Sequence, residues 1–189
     1  AFVCMLDGVP EEVAAAAGRL AYRGIHLLYA TYGSPGPLTP GREIYCVEAD
    51  NPIKRLYEPA VTDPTSTPPG RSSLCFEVMC EVGDALWTAP EEDLYRRFAE
   101  PFARAVNPNL PEAPDRLFSR WLPNAYPKYY VGYENDLERV LGWVADRPGL
   151  RTFGRNGRYR YEFLLFPTLK EAESACREIQ GLPPSPTEE

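Results

Sequence analysis

The chain predicts an α+β fold, an antiparallel or mixed sheet of about five to seven strands with about three to four helices packed on it. Three observations carry this. "SSLCFEVMCEV" puts Leu74, Phe76, Val78, Cys80 and Val82 on one strand face and Cys75, Glu77, Met79 and Glu81 on the other. "ENDLERVLGWVAD" puts Leu137, Val140, Leu141 and Val144 on one helical stripe. Strand-like and helix-like segments also interleave along the chain without an internal repeat.

In chain order, "VPEEVAAAAGRLAYRG" predicts a helix with acidic residues in its first turn and Gly24 beyond its end. "IHLLYATY" follows as a strand, stopped by the Gly/Pro cluster "GSPGPLTPG". "EIYCVEA" and "IKRLYEPA" read as two shorter strands around a "DNP" turn, and "VTDPTSTPPG" as a loop. The helix in "WTAPEEDLYRRFAEPFARAV" is expected to start at Thr88, with Glu91 closing a capping box, and to kink or split at Pro101. "PDRLFSRWLPNAYP" supplies another strand. The Leu137–Val144 stripe stops at Pro148-Gly149. "LRTFG" then predicts a short strand, "RNGR" a basic turn, and "TLKEAESACREIQG" the last helix before a frayed tail, "LPPSPTEE".

At 189 residues the chain has the length of one compact domain or one plus an appendage. Its net charge of −7 argues against a nucleic-acid partner, which needs clustered Lys and Arg to neutralise phosphates. The run Arg151, Arg155, Arg158 and Arg160 is the local exception and is a candidate grip on a small phosphate; the alternative is a solvated turn paired with carboxylates. No apolar run reaches bilayer-spanning length and the start "AFVCMLDGVPEEV" lacks the basic opening of a leader, so no transmembrane segment and a cytoplasmic location are expected.

The five cysteines have no Cys-x-x-Cys spacing and read as small buried hydrophobes, with no metal site expected. His26, the sole histidine, lies in an apolar strand and reads as a hydrogen-bonded structural residue. Glu77 and Glu81 share a strand face, which permits paired-carboxylate chemistry but is explained by a solvent-facing sheet. The acidic cluster Glu91 to Asp93 is a helix start. No catalytic residue is nominated.

The stretch "WLPNAYPKYYVGYENDLERVLGWVADRPGLRTFGRNGRYRY" resembles the carboxyl-terminal part of FAD-dependent amine oxidoreductases of the protoporphyrinogen-oxidase-like and UDP-galactopyranose-mutase-like group. It shares their Ala-Tyr-Pro-x-Tyr, Gly-Tyr, Leu-Glu-Arg helix and closing Gly-Arg, in that order. "SSLCFEVMCEVGDALWTAPEEDL" resembles the group's substrate-domain strand and following helix, and "GRLAYRGIHLLYATY" and "IYCVEADNPIKRLYEP" its preceding strands. The likeness runs from the first helix to Tyr161.

The resemblance implies residues 1–149 as a substrate-binding domain, 150–182 as a remnant of the FAD-binding domain (last strand and helix), and 183–189 as a disordered tail. It nominates Gly154 and Arg155 as cofactor contacts to FAD, and Tyr126, Tyr129 and Trp121 as substrate contacts. The Gly-x-Gly-x-x-Gly turn that receives a dinucleotide's pyrophosphate has no counterpart, since "GSPGP" lies in a Pro-rich loop and "GRNG" has the wrong spacing. "YEFLLFPTLKEAESA" also departs from the group's Asn- and Asp-containing ending. The implied function is the substrate-domain portion of a flavin-dependent oxidoreductase or mutase acting on a small molecule. FAD would be completed by a missing amino-terminal domain or a separate FAD-binding chain, the isolated chain being inactive. The alternatives are a stand-alone small-molecule or sugar-nucleotide binding module, or a cofactor-free isomerase or cyclase.

Overall fold

The structure, a computed structural model, describes residues 2–34, 36–161 and 165–183. The chain divides into two compact units: a sheet unit, Arg23–Ala125, and a helical unit, Ala1–Tyr22 with Tyr126–Glu189.

The sheet is built from β1 (Tyr22–Gly33), β2 (Glu43–Tyr45), β3 (Ile53–Tyr57), β4 (Arg71–Cys80) and β5 (Arg116–Pro127), in the order β2-β3-β4-β1-β5. It is an antiparallel five-stranded sheet, as the α+β reading expects. β1 and β4 pair with Leu28 opposite Phe76 and Tyr29 opposite Cys75. The alternating face of β4 is the core face: Leu74, Phe76 and Val78 are buried with Leu28, Ala30 and Tyr32 of β1. In β3 the register shifts between Ile53 and Arg55. This bulge lets Ile53 and Leu56, three residues apart, both enter the core, while Arg55 and Tyr57 pair with Glu77 and Cys75.

Helix α1 (Glu11–Arg19) belongs to the helical unit, described below. Pro59 ends the β3 strand and starts a short helix, α2 (Pro59–Thr62), where the sequence reads as continuing strand and then loop. The core is capped by α3 (Glu91–Leu94), a π turn (Tyr95–Ala99) and α4 (Glu100–Val106), which bury Leu94, Tyr95, Ala99 and Ala103. Pro101 stands in the first turn of α4, directly after the widened π turn, which carries the helix past the proline without splitting it. The capping box does not form. The helix starts at Glu91, after an extended Pro90, and the Thr88 hydroxyl instead donates to Asp84 O at 2.9 Å. A proline at 90 keeps residue 89 out of the helical region, so the box residues cannot share one first turn.

In the helical unit, α1 packs on α5 (Tyr133–Ala145). Val13, Ala16 and Ala17 meet Val140 and Val144, and Leu137 and Leu141 are half-buried beside them. The small alanines let the two helix backbones approach closely. Arg19 clamps Asp136 from Nε (3.2 and 3.1 Å) and Nη2 (2.5 Å). The expected strand over "LRTFG" is absent. Gly154 takes a left-handed φ of 72°, which ends any extended run, and Gly154–Arg158 winds into a short helix, α6. The Thr152 hydroxyl closes that turn by donating to Gly157 O at 2.8 Å. The last helix is α7 (Leu165–Ile179). Of the tail expected to be disordered, residues 184–189 lie outside the described residues, as do residues 162–164.

The cysteine reading holds for Cys75 and Cys80, which are buried; Cys4 and Cys176 are exposed and Cys46 is intermediate. Burial pushes both strand thiols up to about 11, by removing the thiolate from water.

Candidate functional site

Four of the nominated residues, Tyr126, Tyr129, Gly154 and Arg155, lie in the helical unit: Tyr129 packs on Tyr159, Tyr126 and Arg155 meet at Tyr161, and Gly154 precedes Arg155 in α6. Tyr159 is 2% exposed and has a left-handed φ of 51° at the end of α6. Its hydroxyl shares its proton between Ala21 O (2.6 Å) and Lys128 O (2.8 Å), and accepts from Lys128 N at 3.2 Å. Tyr22 meets its ring edge-on at 5.2 Å, and Tyr129 and Tyr133 lie at 5.9 and 5.8 Å. Tyr129 stacks on Tyr133 at 4.8 Å, and its hydroxyl accepts from Tyr161 N at 2.7 Å. Tyr126 lies 5.2 Å from Tyr161, and the Arg155 guanidinium sits over both rings, 4.8 and 5.1 Å from their centroids. Tyr130 donates to the Asp136 carboxylate at 2.6 Å, and this bond pushes the phenol up to about 12.

Gly154 and Arg155 do not build a diphosphate site by themselves. The Gly154 amide donates to the Glu171 carboxylate at 3.1 Å, and a carboxylate at that position repels a phosphate. A Cβ on Gly154 would stand 3.0 Å from Thr168 Cγ2, so backbone and packing already demand glycine there. Arg151 is held by Glu178 at 2.5 Å, as the solvated-turn reading has it. Arg158 lines a cleft of about 240 Å³ with Leu141, Leu150, Thr152 and Glu178.

Trp121 belongs to the sheet unit. Its ring lies 4.9 Å from His26, its Nε1 donates to Trp87 O at 2.9 Å, and it is 45% exposed. His26 is fully buried, with Nδ1 3.0 Å from Leu86 O and Nε2 2.7 Å from Ser119 Oγ. A carbonyl only accepts, so Nδ1 is assigned the proton it gives to Leu86 O, and Nε2 bonds with the Ser119 hydroxyl. Both nitrogens are satisfied, which is the structural histidine expected from the sequence.

The paired-carboxylate reading of Glu77 and Glu81 needs correcting in both directions. Glu77 is 8% exposed, not solvent-facing, because Arg55 covers it with Nη2 at 2.5 Å while Nη1 reaches Glu43 at 3.0 Å. Glu81 lies beyond the end of β4 and pairs with Arg23 at 3.6 Å. Sequence reading also passes over Glu58. Fully buried, it accepts from Leu38 N and Thr39 N (2.8 Å each) and Thr39 Oγ1 (2.9 Å) on one oxygen, and from Ser72 Oγ on the other. Nothing in "LYEPA" marks it, since its donors come from a loop about twenty residues earlier and a strand fourteen residues later.

Among the described residues no cluster of His, Cys, Asp and Glu is arranged to hold a metal, and no helix is long and apolar enough to cross a membrane. No protein-family model matches the chain, and no curated protein matches it in sequence. Solved structures do match in fold. A reduced UDP-galactopyranose mutase superposes with a TM-score of 0.69 at 22% identity, over 88% of this chain and 35% of that one. A candidate protoporphyrinogen oxidase from Exiguobacterium sp. 255-15 superposes with a TM-score of 0.56 at 17% identity, over 87% of this chain and 35% of that one. The chain therefore spans about a third of the length of these structures. At these identities the likeness is one of fold: the chain has the fold of a portion of a mutase and of a candidate oxidase.

Proposed function

We propose that this chain is the substrate-domain portion of a flavin-dependent oxidoreductase or mutase, with residues 1–149 as the substrate-binding domain and residues 150–182 as a remnant of the FAD-binding domain of the complete protein. The observation that carries the reading is the fold match over nearly nine-tenths of this chain to about a third of a UDP-galactopyranose mutase. The sequence motifs that resemble the same group support it independently.

In this reading FAD supplies the redox or mutase chemistry, and a dinucleotide-binding unit elsewhere in the complete protein, or in a separate chain, holds its phosphates. Arg155 is the proposed contact on the flavin side. Gly154, whose conformation is explained by its own packing, stands next to it. Tyr126 and Tyr129 of the helical unit and Trp121 of the sheet unit are the proposed substrate contacts.

Flavin occupancy tests this reading. The complete protein should keep the visible absorbance of oxidised flavin through desalting, at near one FAD per polypeptide. The chain alone, titrated with FAD and desalted, should lose it. A folded complete protein that retains no flavin would overturn the flavin assignment. Stoichiometric retention by this chain alone would instead overturn the division of labour between two units.

A further inference from the structure

The run Arg116-Leu117-Phe118-Ser119-Arg120 on β5 alternates across the sheet. Leu117 packs on the main core and Ser119 is buried on His26, so Arg116, Phe118 and Arg120 share the opposite face. Phe118 lies parallel to Tyr29 of β1, with centroids 4.8 Å apart and planes 4° from coplanar directions. Tyr29 pairs with Cys75, and Cys75 with Tyr57, so Tyr57, Cys75, Tyr29 and Phe118 form one row across four strands, in which the Tyr29 and Phe118 rings are in direct contact. The two guanidinium groups flank it, with Cζ 5.4 and 5.7 Å from the Phe118 centroid.

Charge separates these two arginines from Arg55 on the same face. Arg55 is closed off by Glu43 and Glu77, whereas among the described residues neither Arg116 nor Arg120 meets a carboxylate. Their side-chain contacts are the Phe118 ring and, for Arg120, the Ser119 carbonyl at 2.8 Å. In a chain of net charge −7, two cations without acid partners beside a flat pair of rings are complementary to an aromatic anion.

We propose that this face of the sheet unit binds a small planar aromatic molecule carrying a carboxylate or phosphate. Its ring packs on the Phe118–Tyr29 pair and its anionic group is taken by Arg116 or Arg120. The assignment does not rest on the flavin reading, because the site lies within one unit and contains none of Gly154, Arg155, Tyr126, Tyr129 or Trp121.

The test is a titration of the chain, in the absence of FAD, with naphthoate, naphthyl phosphate and neutral naphthamide, followed by amide and aromatic NMR shifts. Naphthoate or naphthyl phosphate should move the signals of Phe118 and Tyr29 and bind about tenfold more tightly than naphthamide, the worth of one charge-assisted bond. Whichever of the two anions binds more tightly identifies the anionic group. Arg116→Gln and Arg120→Gln alter exposed side chains, so the fold should hold, as near-UV circular dichroism will check; together they should erase the preference for the anions. Equal binding of naphthamide, an anion preference that survives in the double variant, or shifts confined to other residues would each overturn the site. Flavin occupancy is untouched by any of these results, so the two proposals fail separately.

Discussion

Glu58 in the sheet unit and Tyr159 in the helical unit fasten their surroundings with different chemistry. Glu58 is a carboxyl group drawn entirely out of water. Leu38 N, Thr39 N and Ser72 Oγ converge on it, with the Thr39 hydroxyl shared between it and Gly41 O, to tie the residue 38–39 loop to the start of β4. Tyr159 is a neutral phenol whose hydroxyl joins the segment entering β1, at Ala21, to the segment leaving β5, at Lys128. A buried carboxylate concentrates many bonds on two oxygens, so its loss strands many donors at once. A buried phenol spreads its contribution between one hydroxyl and a ring, so the two parts can be removed separately. The difference teaches where each unit is fragile: the sheet unit at a single carboxyl group, the helical unit across a set of rings.

The largest expected effect tests the carboxyl fastening. Glu58→Ala leaves two buried amides and the Ser72 hydroxyl without their acceptor, while the Thr39 hydroxyl keeps Gly41 O at 2.9 Å, and should cost about 3 kcal/mol or more in urea unfolding followed by circular dichroism. Glu58→Gln keeps an acceptor in place and should cost markedly less. A loss below about 1 kcal/mol for the alanine variant would show that water replaces the carboxylate and that the network is not a single fastening.

Tyr159→Phe is the matching cut in the helical unit. It keeps the packing against Tyr22, Tyr129 and Tyr133 and removes only the hydroxyl, so about 1–2 kcal/mol is expected. If the phenylalanine variant unfolds as easily as a Tyr159→Ala variant, the hydroxyl and not the ring cluster holds the segment, and the contrast with Glu58 disappears.

Asp136 sharpens the comparison through pH. The Arg19 guanidinium, then the Tyr130 hydroxyl, hold its carboxyl down at about 2, below the ordinary carboxylate value of about 4. The folded state therefore binds fewer protons there than the unfolded state, and stability rises with pH across that interval. The contribution is complete above about pH 4 and is lost as pH falls through about 2. The gap in thermal midpoint between the parent chain and Asp136→Asn should shrink over that window. A gap that stays constant from neutral pH downward would mean that the clamp acts by shape and not by charge.

The core face of β4 was legible because its core-facing residues recur with a period of two, and the Leu137–Val144 stripe because helix packing imposes its own period. The strand order was not, since it is set by pairings between distant segments. The bulge in β3 was not legible, because Ile53 and Leu56 break that period and only their partners on β4 reveal why. Gly154 and Arg155 were visible through a motif, yet their setting was hidden: Glu171 and Thr168 reach Gly154 from α7, and Tyr126 and Tyr161 lie under Arg155. Arg116-x-Phe118-x-Arg120 was readable in principle, since its spacing alone puts three side chains on one strand face. Its significance came from Tyr29 on the neighbouring strand, which no local pattern announces.

The smallest expected effect tests a local rule against its context. Thr88 and Glu91 have the spacing of a capping box, and if the box carried the helix start, Thr88→Ala would cost about 1 kcal/mol. In the structure Pro90 delays the helix to Glu91, and the exposed Thr88 hydroxyl bonds back to Asp84 O. The turn is held by Asp84 itself, whose carboxylate accepts from Glu81 N at 2.8 Å and Trp87 N at 2.7 Å. Thr88→Ala should therefore change stability by no more than about 0.5 kcal/mol, while Asp84→Ala should cost more because two backbone amides lose their acceptor. The reverse ranking in urea unfolding would restore the capping box and move the helix cap two residues toward the amino terminus, from Pro90 to Thr88.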